Sequence, residues 1–135
     1  MIVDTSALLA FFDRNEPDHA AVTRALAATD EPLVVPPYVV AELDYLVATR
    51  HGTQAELAVI AELAGGAWDL PAFDAADLAV AHRVVQQYAD QAIGIADASI
   101  VVLADRFGTR SIATLDRRHF EVLRPLSGGR FSIVP

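Results

Sequence analysis

The sequence predicts an α/β chain: a mainly parallel sheet with helices on both faces, in one domain spanning residues 1–135. Two observations carry that expectation. Short apolar runs of strand length alternate with longer segments of helical period, the pattern of strands joined by crossover helices. No repeat, linker or low-complexity stretch divides the chain, and a domain of this size buries about two-thirds of the surface its unfolded form exposes.

The elements follow in order. Ile2-Val3 is a short strand ending at Asp4, and Thr5-Ser6 open a helix through Phe12. A second helix is expected from Glu16 to Ala28. Leu33-Val34-Val35 is the next strand, stopped by Pro36-Pro37, with Pro37 suited to the first turn of a helix that continues to about Arg50. Thr53-Gln54-Ala55-Glu56 has the form of a capping box and starts a helix that stops at Gly65-Gly66. Ala67 to Leu70 is a third strand. Asp74 caps a helix whose Leu78, Ala81, Val85 and Tyr88 share a face. The apolar stretch around Ile95 to Phe107 reads as a buried helix ending at Gly108. It is interrupted by Asp97 and Asp105 and is too short to span a bilayer. Ser111 to Thr114 and Phe131 to Val134 complete the strands.

Composition narrows the chemistry. No cysteine is present, which removes disulfides, thiolate zinc sites and cysteine catalysis. Met1-Ile2-Val3-Asp4 lacks a basic leader, so a cytoplasmic protein with no membrane association is expected. The apolar fraction of 53% points to a well-filled core with surface left for a partner. Net charge is −8, against the basic balance usual in nucleic-acid binders. The charge is uneven, however. Arg106, Arg110, Arg117, Arg118, Arg124 and Arg130 are opposed in their stretch only by Asp116 and Glu121. All ten basic residues are arginines; there is no lysine.

Four acids stand where such a sheet binds ligands, beyond the carboxyl ends of its strands. Asp4 and Asp116 follow strands directly. Glu42 and Asp97 lie near helix starts that right-handed crossovers can bring to the same edge. Each has a structural alternative: Asp4 as a helix cap, Glu42 as a solvated side chain, Asp116 in an Asx turn. Asp97 is harder to assign to structure alone. Ile100, Val101 and Ala104 follow it at helical spacing, so its carboxylate points along an apolar face and needs a cation, a donor or the helix dipole.

Two carboxylates about 5 Å apart repel by roughly 3 kcal/mol at an effective dielectric near 20. Four meeting together call for a divalent cation, and oxygen-only ligands favour Mg²⁺ or Mn²⁺ over zinc. Such a cation suits in-line displacement at a phosphodiester and reverses the local negative field. Ser6 and Thr114 are supporting hydroxyls beside two of the acids. Arg110, Arg117 and Arg118 are candidates for holding flanking phosphates of a nucleic acid, RNA or DNA.

These stretches resemble the PIN domain, and more narrowly the VapC-type toxins of bacterial toxin–antitoxin pairs. The resemblance rests on Ile2-Val3-Asp4-Thr5-Ser6-Ala7-Leu8, Val40-Ala41-Glu42-Leu43, Ala96-Asp97-Ala98-Ser99-Ile100 and Ala113-Thr114-Leu115-Asp116-Arg117-Arg118-His119-Phe120, in that order. It implies a three-layer α/β/α sandwich. It also implies a Mg²⁺ site, with Mn²⁺ as substitute, at Asp4, Glu42, Asp97 and Asp116. The expected activity is that of an RNA endonuclease that dimerises and is held inactive by a small VapB-like antitoxin. Asp13 and Asp44 lie near these stretches without an assigned role. The acidic net charge departs from a broadly basic RNA groove. Tyr38, Val39, Leu43 and Leu46 are expected on an apolar partner-binding face.

Other classes fit less well. A haloacid-dehalogenase-like phosphatase needs a second Asp where Ser6 stands and commonly a lysine, and a phospho-accepting receiver domain normally relies on a lysine too. The remaining alternative is a non-catalytic metal-binding or protein-interaction module on the same fold. His19, His51, His82 and His119 are scattered, and His82 and His119 read as structural or surface residues.

Overall fold

A computed structural model describes all residues from 1 to 135. The chain runs β1 (Ile2–Val3), α1 (Thr5–Phe12), α2 (His19–Ala27), α3 (Pro37–His51), α4 (Thr53–Ala64), α5 (Ala75–Gln87), a 3₁₀ turn (Ala89–Gln91), α6 (Ile95–Arg106), β2 (Ser111–Ala113), α7 (Arg117–Val122) and β3 (Ser132–Val134). The three strands are parallel in the order β1-β2-β3, with Ile2 opposite Ile112 and Ile112 opposite Ile133. Beyond β1, Val34 bridges to Ile2 and Asp69 to Val34, again in parallel. Five extended segments therefore lie side by side and their carboxyl ends share one edge.

The expected strands at Leu33–Val35 and Ala67–Leu70 contract to these single bridges. Proline is the reason: Pro36 and Pro71 close the two segments and carry no N–H for a ladder. Val35 N still donates to Asp69 O at 2.9 Å and Val3 N to Val34 O at 2.9 Å, so the added segments are held to the sheet.

Successive strand residues point to opposite faces, yet Ile2, Val3, Ile112 and Ala113 are each 0% exposed. Helices therefore cover both faces, as a three-layer sandwich requires. The most enclosed is α6, where every residue from Ala98 to Ala104 is buried. It packs against α5, α3 and β1.

Three local expectations are corrected. α2 begins at His19, not Glu16, because Pro17 disfavours helical backbone at Glu16 and the segment from Asp13 to Asp18 makes turns instead. The Thr53–Glu56 capping box does not form: Gly52, at φ 81°, makes the break between α3 and α4, and Thr53 is already inside α4. On α5, Asp74 and Asp77 form a capping box; Ala81 is buried and Val85 and Tyr88 pack against the core as expected, joined by buried Val84, but Leu78 is exposed. No helix is long and apolar enough to cross a membrane.

The apolar partner face also shifts. Val39 and Leu43 are 0% exposed and belong to the core. Tyr38 packs edge-on against Phe73, and Leu46 lines the acidic cleft described below. The exposed apolar side chains of the α3–α4 hairpin are Tyr45, Leu57 and Ile60. α3 carries apolar residues all round, so its sequence does not reveal which side meets the core.

Candidate active site

At the carboxyl edge of the sheet, Asp4 leaves β1 with its N–H donating to Ala113 O at 2.9 Å and caps α1. Its carboxylate is nearly buried and Oδ2 accepts from Ser6 Oγ at 2.6 Å, Thr114 Oγ1 at 2.8 Å and, more weakly, Ser6 N at 3.4 Å. The cap and the site are thus the same residue. Thr114, fully buried at the end of β2, also accepts from Asp116 N at 3.0 Å, and Ser6 Oγ accepts from Leu115 N at 2.9 Å. Two hydroxyls therefore hold the chain leaving β2 in register with the chain leaving β1.

Glu42 enters from α3, where Thr5 Oγ1 donates to its Oε2 at 2.5 Å. Asp97 comes from the first turn of α6. Asp116 precedes α7 but makes no capping hydrogen bond with its side chain, which leaves the carboxylate available to the cleft. All four acids, with Thr5, Ser6 and His119, line one cleft of about 380 Å³.

His119 is the residue that the sequence reading misplaced. Its Nδ1 lies 3.3 Å from Asp97 Oδ2 and 3.3 Å from Asp116 Oδ2. Arg118 Nη2 lies 3.4 Å from His119 Nε2. A guanidinium can only donate, so where that contact is made Nε2 accepts and Nδ1 carries the proton toward the carboxylates. The missed signal was the spacing Asp116–His119, one turn apart, with Phe120 buried beside it to fix the ring's side of α7.

Burial pushes the Asp97 carboxyl from its ordinary 3.8 up to about 6; His119 opposes the rise, Asp4 and Asp116 add to it, and a backbone hydrogen bond at Gly94 opposes it. The opposite edge of the sheet shows what a satisfied acid looks like. There Glu31 accepts from the Met1 ammonium, Thr109 and Ser111, and its carboxyl is lowered to about 2, first by the ammonium. Donors surround Glu31, whereas Asp97 faces other carboxylates and one imidazole.

The donor chemistry fits a hard divalent cation: oxygen ligands from four carboxylates, one of them held in an unfavourable environment. The side chains do not yet form a ready-made cage of three ligands. Glu42 is turned to Thr5, Asp4 to its two hydroxyls, and Asp97 and Asp116 to His119.

The arginines divide. Arg118 borders the acidic cleft through His119 and lines an adjoining one. Arg117 donates to Pro135 O. Arg110 precedes β2, at the amino edge of the sheet beside the Glu31 cluster, and the fold does not bring it to the acids.

A family model for the PIN domain matches residues 1–124. Ribonuclease VapC26 of Mycobacterium tuberculosis is 64% identical over 135 residues, 100% of both chains. Among solved structures, VapC20 of Mycobacterium tuberculosis, a toxin that cleaves the sarcin-ricin loop, superposes with a TM-score of 0.84 at 18% identity, over 99% of this chain and 98% of that one. VapBC2 of Rickettsia felis, bound to a DNA fragment from its promoter, gives 0.72 at 14% identity over 99% and 98%.

Proposed function

The chain belongs to the PIN domain family, and on that premise we propose that it is an endoribonuclease toxin hydrolysing RNA phosphodiesters with a divalent cation held by Asp4, Glu42, Asp97 and Asp116. The observation that carries this reading is the convergence of four carboxylates from β1, α3, α6 and the β2–α7 turn on one cleft. The choice of RNA is supported by the ribonuclease at 64% identity. Mg²⁺, with Mn²⁺ as substitute, suits the all-oxygen donor set. When bound, such an ion supplies charge neutralisation and activation of water for in-line attack at phosphorus.

The chain's own residues do the positioning. Ser6 and Thr114 fix the rotamer of Asp4, and Thr5 holds Glu42 at the wall of the cleft. His119 links Asp97 and Asp116, keeping the outer acid near the inner one. Arg118 supplies the positive charge that a flanking phosphate needs beside an acidic cleft. The test is cleavage of total bacterial RNA by purified protein with Mn²⁺ and with EDTA. Discrete cuts that vanish with EDTA are expected; a folded protein that binds Mn²⁺ without cutting would favour the non-catalytic module.

A cognate VapB-like antitoxin, a homodimer and a cytoplasmic setting complete the reading, and solved VapBC assemblies of this fold support the antitoxin. The surface best suited to that partner is an apolar groove of about 380 Å³ between α3 and α4, lined by Pro37, Val40, Val59, Ile60 and Leu63. Ile60 is 45% exposed there, so Ile60→Asp should leave folding intact. Antitoxin affinity, measured by titration calorimetry, is expected to weaken at least about tenfold from burying an unpaired charge. Unchanged affinity would move the partner off this groove.

A further inference from the structure

A second cleft, of about 260 Å³, adjoins the acidic one and shares Ala92 and His119 with it. Its composition is different. Ile93 and Val122 supply apolar surface, Arg118 supplies a cation, and Asp90 and Gln91 stand at the 3₁₀ turn with an acceptor-rich edge. Gln91 Nε2 donates to Asp90 Oδ2 at 3.1 Å, which orients the pair. Ala92, on the rim common to both clefts, has left-handed backbone at φ 54° and ψ 33°, a conformation that residues other than Gly, Asn and Asp seldom adopt. Strain of this kind persists where the surrounding structure fixes a segment's shape, and here it shapes the wall between the two clefts.

Resting on the ribonuclease reading, we infer that this second cleft is a base-recognition subsite for the nucleotide next to the scissile phosphate, selecting an amino-bearing base over uracil. The cleft's polarity sets the direction of the nucleotide. Arg118 attracts a phosphate, whereas Asp90 repels one, so the phosphate lies toward α7 and the base toward the 3₁₀ turn. His119 and the exposed Val122 side chain, over buried Ile93, offer a planar and an apolar surface to a base freed from its stack. An ionised Asp90 only accepts hydrogen bonds, and so pairs with the exocyclic amino groups of guanine, adenine or cytosine. Uracil has no amino group, and its one donor on that edge, N3–H, lies between O2 and O4, whose lone pairs face the carboxylate unfavourably. The linkage through Arg118 and His119 places the base pocket one residue from the acids that act on the phosphate.

The experiment is mapping of cuts in an RNA of randomised sequence under Mn²⁺, for wild type, Asp90→Asn, Gln91→Ala and Arg118→Ala. Asp90, Gln91 and Arg118 are exposed, so the variants should fold, and near-wild-type melting confirms it. Wild type is expected to disfavour uracil at one position beside the cut by at least about tenfold. Asp90→Asn should bring that ratio within about threefold, because Asn can also donate to uracil O4. Gln91→Ala should reduce the ratio too, since it releases Asp90. Arg118→Ala should raise KM about tenfold for every base with the preference kept. Cutting by wild type with no base preference, or the wild-type preference surviving in Asp90→Asn, overturns the subsite and leaves the ribonuclease reading standing. Absence of any cutting by wild type removes the ribonuclease reading, and the subsite with it.

Discussion

Replacing Asp97 with Asn is expected to reduce RNA cleavage at least about a thousandfold while raising the melting temperature of the metal-free protein at neutral pH. The two effects share one origin. Asp97 sits on the apolar face of α6 with Ala98 to Ala104 buried beside it, and its neighbours across the cleft include Asp4 and Asp116. Its carboxyl is pushed up from 3.8 to about 6, chiefly by burial. A raised acid destabilises the fold once it is ionised. As pH rises above 3.8 the unfolded chain releases the proton first, so the folded state loses stability until pH passes about 6 and the loss is complete. That loss is on the order of 2–3 kcal/mol above pH 6. Asn removes it; the attraction of His119 is already contained in that net rise, and solvent screening at the partly exposed carboxyl leaves a gain of about 1–2 kcal/mol, or roughly 4–7 °C. Melting curves from pH 4 to 8 in EDTA would show the advantage growing through this window and vanishing near pH 4. Adding Mn²⁺ should reverse the order, because wild type gains binding energy that the variant lacks. A variant no more stable than wild type in EDTA at pH 7 would mean that His119 already satisfies Asp97.

The feature behind this expectation is legible in the sequence alone: an Asp one helical turn ahead of Ile100 and Val101. The same holds for Asp4 and Asp116, since a short apolar run ending in Asp at the carboxyl end of a parallel strand places it at the binding edge. Glu42 was less secure, for it lies on a helix with apolar residues on all sides, and the same ambiguity put Val39 and Leu43 on the wrong face of α3. His119 escaped because α7 has only six residues, lacks a side-chain cap and follows Asp116 without a break, so the one-turn spacing from Asp116 was the sole local sign of a helix that turns the ring into the cleft. Arg110 was singled out by the basic balance of the C-terminal stretch, which does not say which edge of the sheet each arginine occupies: β2, at about 3.3 Å per residue, carries it roughly 10 Å from Thr114 to the opposite edge. Strand ends can be read from pattern; which end a neighbouring residue occupies depends on the strand's length, and β2 is a full three residues.

Asp4→Ala should cost activity as heavily as Asp97→Asn but with the opposite sign in stability. Asp4 is ringed by donors: Ser6 Oγ at 2.6 Å, Thr114 Oγ1 at 2.8 Å and Ser6 N at 3.4 Å. Alanine removes the α1 cap, worth about 1 kcal/mol, and strands a hydroxyl donor at Thr114, which is 1% exposed. Ser6 Oγ and Thr114 Oγ1, 3.2 Å apart, can still bond each other and recover part of the loss. The net destabilisation is about 2–3 kcal/mol, a fall of roughly 7–11 °C in Tm in metal-free buffer. Asp4→Asn separates the two roles, because its amide oxygen still accepts from Ser6 and Thr114 while the charge is gone. Its melting temperature should lie within about 1 kcal/mol of wild type, with cleavage as low as in Asp4→Ala. If Asp4→Ala were instead as stable as wild type, the hydroxyls would be finding other partners, and the register between the chains leaving β1 and β2 would have to be held by the backbone bond from Asp4 N to Ala113 O. Opposite stability signs at Asp4 and Asp97, with the same loss of cleavage, would separate an acid built into the fold from one held in the cleft against its electrostatic cost.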